Sequence, residues 1–222
     1  MSDATHIGPY ELDSIITGDA RELSRAIPDE SVDLVFTDPV YDRIDDYRWL
    51  AETAARVLKP GGSCLMWQAV KWLADTFREV DSLTYKWTFI WYQSNRRGHA
   101  DFGYPLYTPL LWYTKGKAST RYPVQDIIQV PFSGNGEHVW QKQPETIMRW
   151  LHAIADDNAI VFDPFTGGGT VPAVCKMLRR HYLAFEIDPD TAERARQRVL
   201  TTQAPLVFPE HEQLTFDTTA AS

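Results

Sequence analysis

Apolar runs alternate with amphipathic stretches from the first third of the chain to the last, the pattern of strands and helices taking turns in an α/β fold. Ser14–Thr17 (SIIT) reads as a short strand, followed by a Gly-Asp turn and a helix near Ala20–Ala26. Val32–Thr37 (VDLVFT) predicts a second strand, stopped at Asp38-Pro39 because proline cannot continue a ladder. The spacing predicts a helix from about Asp45 to Leu58, with Leu50, Ala54, Val57 and Leu58 on one face. Lys59-Pro60-Gly61-Gly62 closes that helix with a cation, a proline and two glycines. Ser63–Trp67 is the next strand and Val70–Val80 the next helix.

Between residues 84 and 114 the pattern changes. Tyr85–Tyr92 alternates and Leu106–Thr114 is a second β-like run, so an antiparallel pair is expected, with a polar loop at Ser94–Asp101 between the two. Lys115–His138, with Pro123, Pro131, Gly134 and Gly136, reads as irregular. Order then returns as helix Glu145–Ala155, strand Ala159–Asp163, a glycine turn, helix Val171–Leu178, strand Tyr182–Glu186 and helix Asp190–Leu200. Thr201–Ser222 shows no usable periodicity.

Composition narrows the class. A length of 222 residues suits one domain with a small insertion, since domains cluster at roughly 100–200 residues. A 44% hydrophobic content with 8 Trp, 10 Tyr and 10 Phe supports a large core and excludes general disorder. Cys64 and Cys175 make no disulfide framework and no zinc-ligand spacing, and His99 and His138 show none, so no metal is expected. With no apolar leader and no long apolar run, the expectation is a cytoplasmic protein with no membrane partner. The net charge of −8 hides an asymmetry. Residues 82–125 carry Lys86, Arg96, Arg97, Lys115, Lys117 and Arg121 against Asp101 alone, among eleven aromatics. That composition suits phosphate contact with base stacking, and it suits a buried sheet with solvated basic turns equally well.

Two motifs carry chemistry. In Ala159–Thr170 a strand runs into Gly167, Gly168 and Gly169 and a helix follows, so backbone amides and a helix N-terminus face whatever sits above. The next strand ends at Glu186, 23 residues after Asp163, where a carboxylate can accept from ribose hydroxyls. Pro172 stands where a dinucleotide fingerprint has its third glycine, which favours a ribose-bearing ligand without pyrophosphate. The second motif is Thr37-Asp38-Pro39-Val40-Tyr41, at a strand end that lines the crevice of an open α/β sheet. Asp38 and the Pro39 carbonyl can each accept an N–H of an exocyclic amine, and Tyr41 can stack on its ring. Taken alone, it would be an ordinary turn.

Together the motifs resemble the β class of amino-methylating DNA methyltransferases. Asp38-Pro39-Val40-Tyr41 is similar to the family's catalytic Asp-Pro-Pro-Tyr, and Asp163–Thr170 to its cofactor loop. Phe185–Pro189 is similar to the ribose-binding strand end, and Ile16–Ala20 to the segment on the cofactor adenine. Val57–Gly62, Tyr107–Trp112 and His138–Pro144 match further family elements, the last with Gln143 inserted between Lys142 and Pro144. The resemblance implies a Rossmann-like methyltransferase fold with a mixed, mostly parallel sheet of seven strands. It divides a single domain into a catalytic half at about 12–92, a target-recognition insertion at about 93–140, a cofactor half at about 141–200 and a tail at 201–222. It implies S-adenosylmethionine as cofactor, held by Asp19, Ala20, Asp38, Asp163, Phe165, Gly167, Gly169, Thr170, Glu186 and Ile187.

Catalysis would rest on Asp38, Pro39 and Tyr41, acting on double-stranded DNA contacted through Arg96, Arg97 and Tyr107. Asp38 in place of Ser favours adenine N6 over cytosine N4 within the family. The short insertion implies a short recognition site or help from a second subunit in a homodimer. Asp19 could cap the following helix as well as touch adenine, Lys142 could be a solvated helix-start residue, and Phe102 and Tyr107 serve core packing as readily as stacking. Competing readings are an RNA or protein-glutamine methyltransferase and a non-catalytic DNA-binding relative.

Overall fold

A computed structural model describes residues 5–94, 103–130 and 144–203. The elements in chain order are β1 (His6–Ile7), β2 (Tyr10–Glu11), β3 (Ser14–Thr17), α1 (Ala20–Leu23), β4 (Val32–Thr37), α2 (Ile44–Val57), β5 (Leu58–Trp67), α3 (Leu73–Glu79), β6 (Thr84–Tyr92), β7 (Tyr107–Thr114), β8 (Ile127–Gln129), α4 (Pro144–Ile154), β9 (Ile160–Asp163), α5 (Thr170–Met177), β10 (His181–Glu186) and α6 (Pro189–Thr201). Short 3-10 turns at Ser24–Ala26 and Val70–Trp72 complete what the sequence presents as single helices.

One sheet runs in the order β3-β10-β9-β4-β5-β7-β6-β8. It is parallel except where β7 pairs antiparallel with β5 and β6. Eight strands stand where seven were expected. The eighth, β8, comes from the stretch read as irregular, where Ile127–Gln129 pairs with Ile90–Tyr92 at the edge. Three residues between turns leave no period to detect. β1 and β2 form a separate antiparallel pair that was likewise not anticipated. β5 begins at Leu58, directly from α2, and its Pro60-Gly61-Gly62 forms an irregularity where the pairing with β4 shifts register.

Strand alternation divides the core into two layers. Leu34, Phe36, Leu65 and Trp67 face α4, α5 and α6, whereas Val35, Cys64 and Met66 face α2. α2 buries Tyr47, Leu50, Ala51, Ala54 and Val57, the stripe expected of a 3.6-residue repeat, and has Asp45 and Asp46 in its first turn and Arg56 near its last. α6 starts on an Asp188 cap that accepts from the Thr191 amide at 2.8 Å, with Pro189 next. The aromatic stretch 84–114 serves the first layer: Phe89 stacks on Trp112 and Trp150, and Trp67 packs edge-on to Trp91. The two readings of this stretch divide its described rings: Phe89, Trp91, Trp112 and Tyr113 are buried in the sheet, whereas Tyr85, Trp87, Tyr104 and Tyr107 are exposed.

Candidate active site

The C-terminal ends of β3, β10, β9 and β4 lie side by side: Glu186 pairs with Thr17, Ala184 with Asp163 and Val35 with Phe162. Parallel strands put the loops after them on one edge, which brings together segments more than a hundred residues apart. From β3 to β4 the edge spans three interstrand spacings, about 14 Å. Ligands of open α/β sheets sit in the crevice along this edge.

The glycine turn follows β9. Asp163 is buried and accepts at one oxygen from Thr37 Oγ1 at 2.7 Å and from the Phe165 amide at 3.3 Å. Burial pushes its carboxyl up to about 7, opposed by the hydrogen bonds from Thr37 and the Phe165 amide and helped by the charge of Asp38. Gly167 and Gly169 adopt left-handed φ values of 50° and 73°. Their surroundings differ. A Cβ on Gly169 would come within 2.9 Å of the Ala195 Cβ, whereas one on Gly167 would meet nothing within 4 Å. Gly169 thus serves the packing of α6, and Gly167 borders open space.

The Gly167 amide donates to Glu186 Oε2 at 2.9 Å and the Asp188 amide to Glu186 Oε1 at 3.0 Å. The strand-end glutamate, read from sequence as an acceptor for ribose hydroxyls, therefore also braces the turn. Thr170, the first residue of α5, is buried, and its hydroxyl accepts from Arg198 at 2.8 Å. Phe165 packs edge-on to Trp49 with centroids 5.6 Å apart. Over the same indole lies the Arg21 guanidinium at 5.2 Å, itself paired with Asp46 at 2.6 Å.

At the β4 end, Asp38 is half-buried, Pro39 buried and Val40 55% exposed. Tyr41 is half-buried and packs against the α4–α6 layer. The Arg43 amide donates to the Val40 carbonyl at 3.1 Å, closing the turn that leads into α2. Behind it, the buried Tyr47 hydroxyl donates to the Trp67 carbonyl at 2.8 Å and ties α2 to the end of β5. An open cleft of about 450 Å³, lined by Arg21 and residues 42–46, separates this loop from the start of α1.

Asp19 caps α1, its carboxylate accepting from the Arg21 amide at 2.8 Å, and Ala20 is buried beside it. Ile187 is largely exposed just beyond Glu186. Tyr107 opens β7 opposite Tyr92, partly exposed, on the edge that carries Asp38. Arg96 and Arg97 lie outside the described residues, as do His99, Phe102, His138 and Lys142.

Two described cations of the basic segment 82–125, Lys115 and Arg121, lie far from the Asp38 edge. Because β7 runs antiparallel to β5, its eight residues carry the chain about 24 Å from the Asp38 edge. At that far end Lys115 pairs with Glu30, while Arg121 pairs with Asp156 and Asp157. Trp49 and Arg198 went unnoticed in the sequence, where no spacing links them to either motif, and Thr37 stood inside the second motif without a role of its own. Cys64 and Cys175 are buried, and burial pushes both thiols up. Among the described residues no cluster suited to a metal ion occurs, and no helix is long and apolar enough to cross a membrane.

A family model described as DNA methylase matches residues 132–197, and one described as methyltransferase domain matches residues 3–66. The type II methyltransferase M.HpaI of Haemophilus parainfluenzae is 26% identical over 83% of this chain and 73% of its own length. M.BamHI of Bacillus amyloliquefaciens is 28% identical over 82% of this chain, which spans 56% of that relative. The M1.HpyAVI–SAM complex superposes with a TM-score of 0.70 at 24% identity, covering 84% of this chain and 98% of that one. The PvuII DNA methyltransferase (cytosine-N4-specific) superposes with a TM-score of 0.75 at 17% identity, covering 86% and 88%.

These likenesses are to methyltransferases throughout: two separate segments match methylase and methyltransferase models, the relatives are type II methyltransferases, and the solved structures share the fold. One of these neighbours was solved as a complex with S-adenosylmethionine. The open side of Gly167, the acceptor at Glu186 and the row of strand ends fit that molecule.

Proposed function

We propose that the chain methylates the exocyclic amine of a base flipped out of double-stranded DNA, with adenine N6 as the target and cytosine N4 as the second reading. The observation that carries this is the adjacency of the Asp38 loop and the glycine turn, joined by the Thr37–Asp163 hydrogen bond. Asp19 and Ala20 would hold the adenine of the cofactor, Glu186 with Ile187 its ribose, and Asp163 through Thr170 with Phe165 its methionine end. S-adenosylmethionine supplies an electrophilic methyl group on a sulfonium.

The chain's own residues prepare the acceptor. Asp38 and the Pro39 carbonyl each accept one amine N–H, which orients the nitrogen lone pair toward the methyl donor, and Tyr41 replaces stacking lost on flipping. No base need act before attack, and Asp38 is the nearest acceptor for the proton the amine sheds. Held in this geometry, the reaction draws much of its rate from proximity. Flipping costs a few kcal/mol, which contacts from the insertion at about 93–140, including Arg96 and Arg97, would help offset.

Nucleoside mass spectrometry of DNA from cells expressing the chain tests the reading. N6-methyladenine is expected, absent when Asp38→Ala is expressed, and Asp38→Ala should still bind S-adenosylmethionine. N4-methylcytosine would keep the mechanism and change the base. Label on RNA or protein alone would overturn the DNA assignment.

A further inference from the structure

The geometry points to Arg198 as a positioning residue that holds the glycine turn in its cofactor-binding shape. This rests on the reading that the turn binds S-adenosylmethionine. Arg198 sits in the last turns of α6, and one guanidinium nitrogen donates to the Gly168 carbonyl at 3.2 Å and to Thr170 Oγ1 at 2.8 Å. One side chain thus fixes a peptide plane in the turn and the first residue of α5.

Its arm is rigid because α6 is clamped on two sides. Arg196 bonds the Ile15 carbonyl and Thr17 Oγ1 of β3, and Lys176 of α5 bonds the Val199 and Leu200 carbonyls. Ala195, one turn earlier, presses on Gly169.

The stability of α5 does not explain the arginine. A cation at that helix's N-terminus opposes its dipole, although the same charge suits the last turn of α6, and burial lowers the Arg198 pKa, with Glu145 of α4 acting the other way. What the guanidinium provides is reach and direction: one terminal nitrogen at the end of a long arm holds its two N–H groups in a fixed plane, one toward each acceptor.

Calorimetric titration of the full chain with S-adenosylmethionine tests this. Arg198→Met should weaken binding about tenfold, with kcat at saturating cofactor within about twofold of wild type. Its thermal midpoint should stay within about 4 °C of wild type. Arg198→Lys, with a shorter arm and no planar pair of N–H groups, should fall between. Arg198→Met combined with Thr170→Val should lose less affinity than the two single losses together, because each removes the same bond. Wild-type affinity in Arg198→Met, additive losses in the pair, or a loss of affinity that tracks a fall in thermal midpoint would each overturn the assignment. Glu186→Ala in the same titration separates the two readings. If it binds normally, the glycine-turn reading fails; if it weakens binding while Arg198→Met does not, only the role of Arg198 fails.

Discussion

Thr37 Oγ1 donates a buried 2.7 Å hydrogen bond to Asp163 Oδ1, across 126 positions of sequence. Thr37 immediately precedes Asp38, and Asp163 opens the glycine turn, so the bond sets the spacing between the loop proposed to hold the amine and the loop proposed to hold the donor. Misplacing reactants by about 1 Å can cost a hundredfold in rate.

Thr37→Val should therefore lower kcat at least about tenfold while the KM for cofactor changes less than about threefold. Thr37→Ser, which keeps the hydroxyl, should recover most of the rate. Steady-state kinetics on a DNA substrate decide the point, and an unchanged kcat in a folded Thr37→Val would remove the bond from the mechanism.

A pH effect follows from Asp163. Its folded pKa, about 7, lies above the unfolded value of 3.8, so the folded chain holds the proton more tightly. The stability this confers is complete below pH 3.8 and lost as pH rises through about 7. Asp163→Asn, which keeps an acceptor for Thr37 and cannot ionise, should gain on the wild type by an amount of order a few kcal/mol between pH 4 and 8. Denaturant unfolding at several pH values measures it, and parallel stability curves for the two proteins would contradict it.

The two left-handed glycines should respond differently to alanine. Gly169→Ala combines an unfavourable φ with a Cβ driven against Ala195, and is expected to cost about 2–4 kcal/mol of stability. Gly167→Ala meets no atom of the described residues within 4 Å, so only the backbone penalty of about 1–2 kcal/mol applies, with the larger effect falling on cofactor affinity. Equal thermal shifts in the two variants would refute the division of roles.

Glu186 accepts from two backbone amides and is proposed to accept from ribose as well. Glu186→Ala should weaken cofactor binding by roughly 1.5–3 kcal/mol and lower stability by about 1 kcal/mol through the loosened turn. Glu186→Gln should keep most of the stability and lose part of the affinity. Full affinity in Glu186→Ala would take the residue out of the site.

Local pattern determined much of this protein. Period-2 and period-3.6 runs gave most of the strands and helices, because one buried face of each element must be apolar wherever it ends up. Asp163–Thr170 and Glu186 suggested a site for a ribose-bearing ligand for a similarly local reason: turn, helix start and strand end are neighbours in sequence. β8 escaped because three residues carry no period and owe their strand state to pairing with Ile90–Tyr92. The sequence left the basic stretch 82–125 open between phosphate contact and solvated turns; antiparallel pairing of β7 sends Lys115 and Arg121 to the end of the sheet opposite Asp38. Tertiary structure alone decided which groups meet at the site. Thr37 reaches Asp163 because β4 and β9 pair in register, and Arg198 reaches Gly168 because α6 packs across α5 and β3. Such meetings depend on where whole elements dock, and the periodicity within any one element does not encode that.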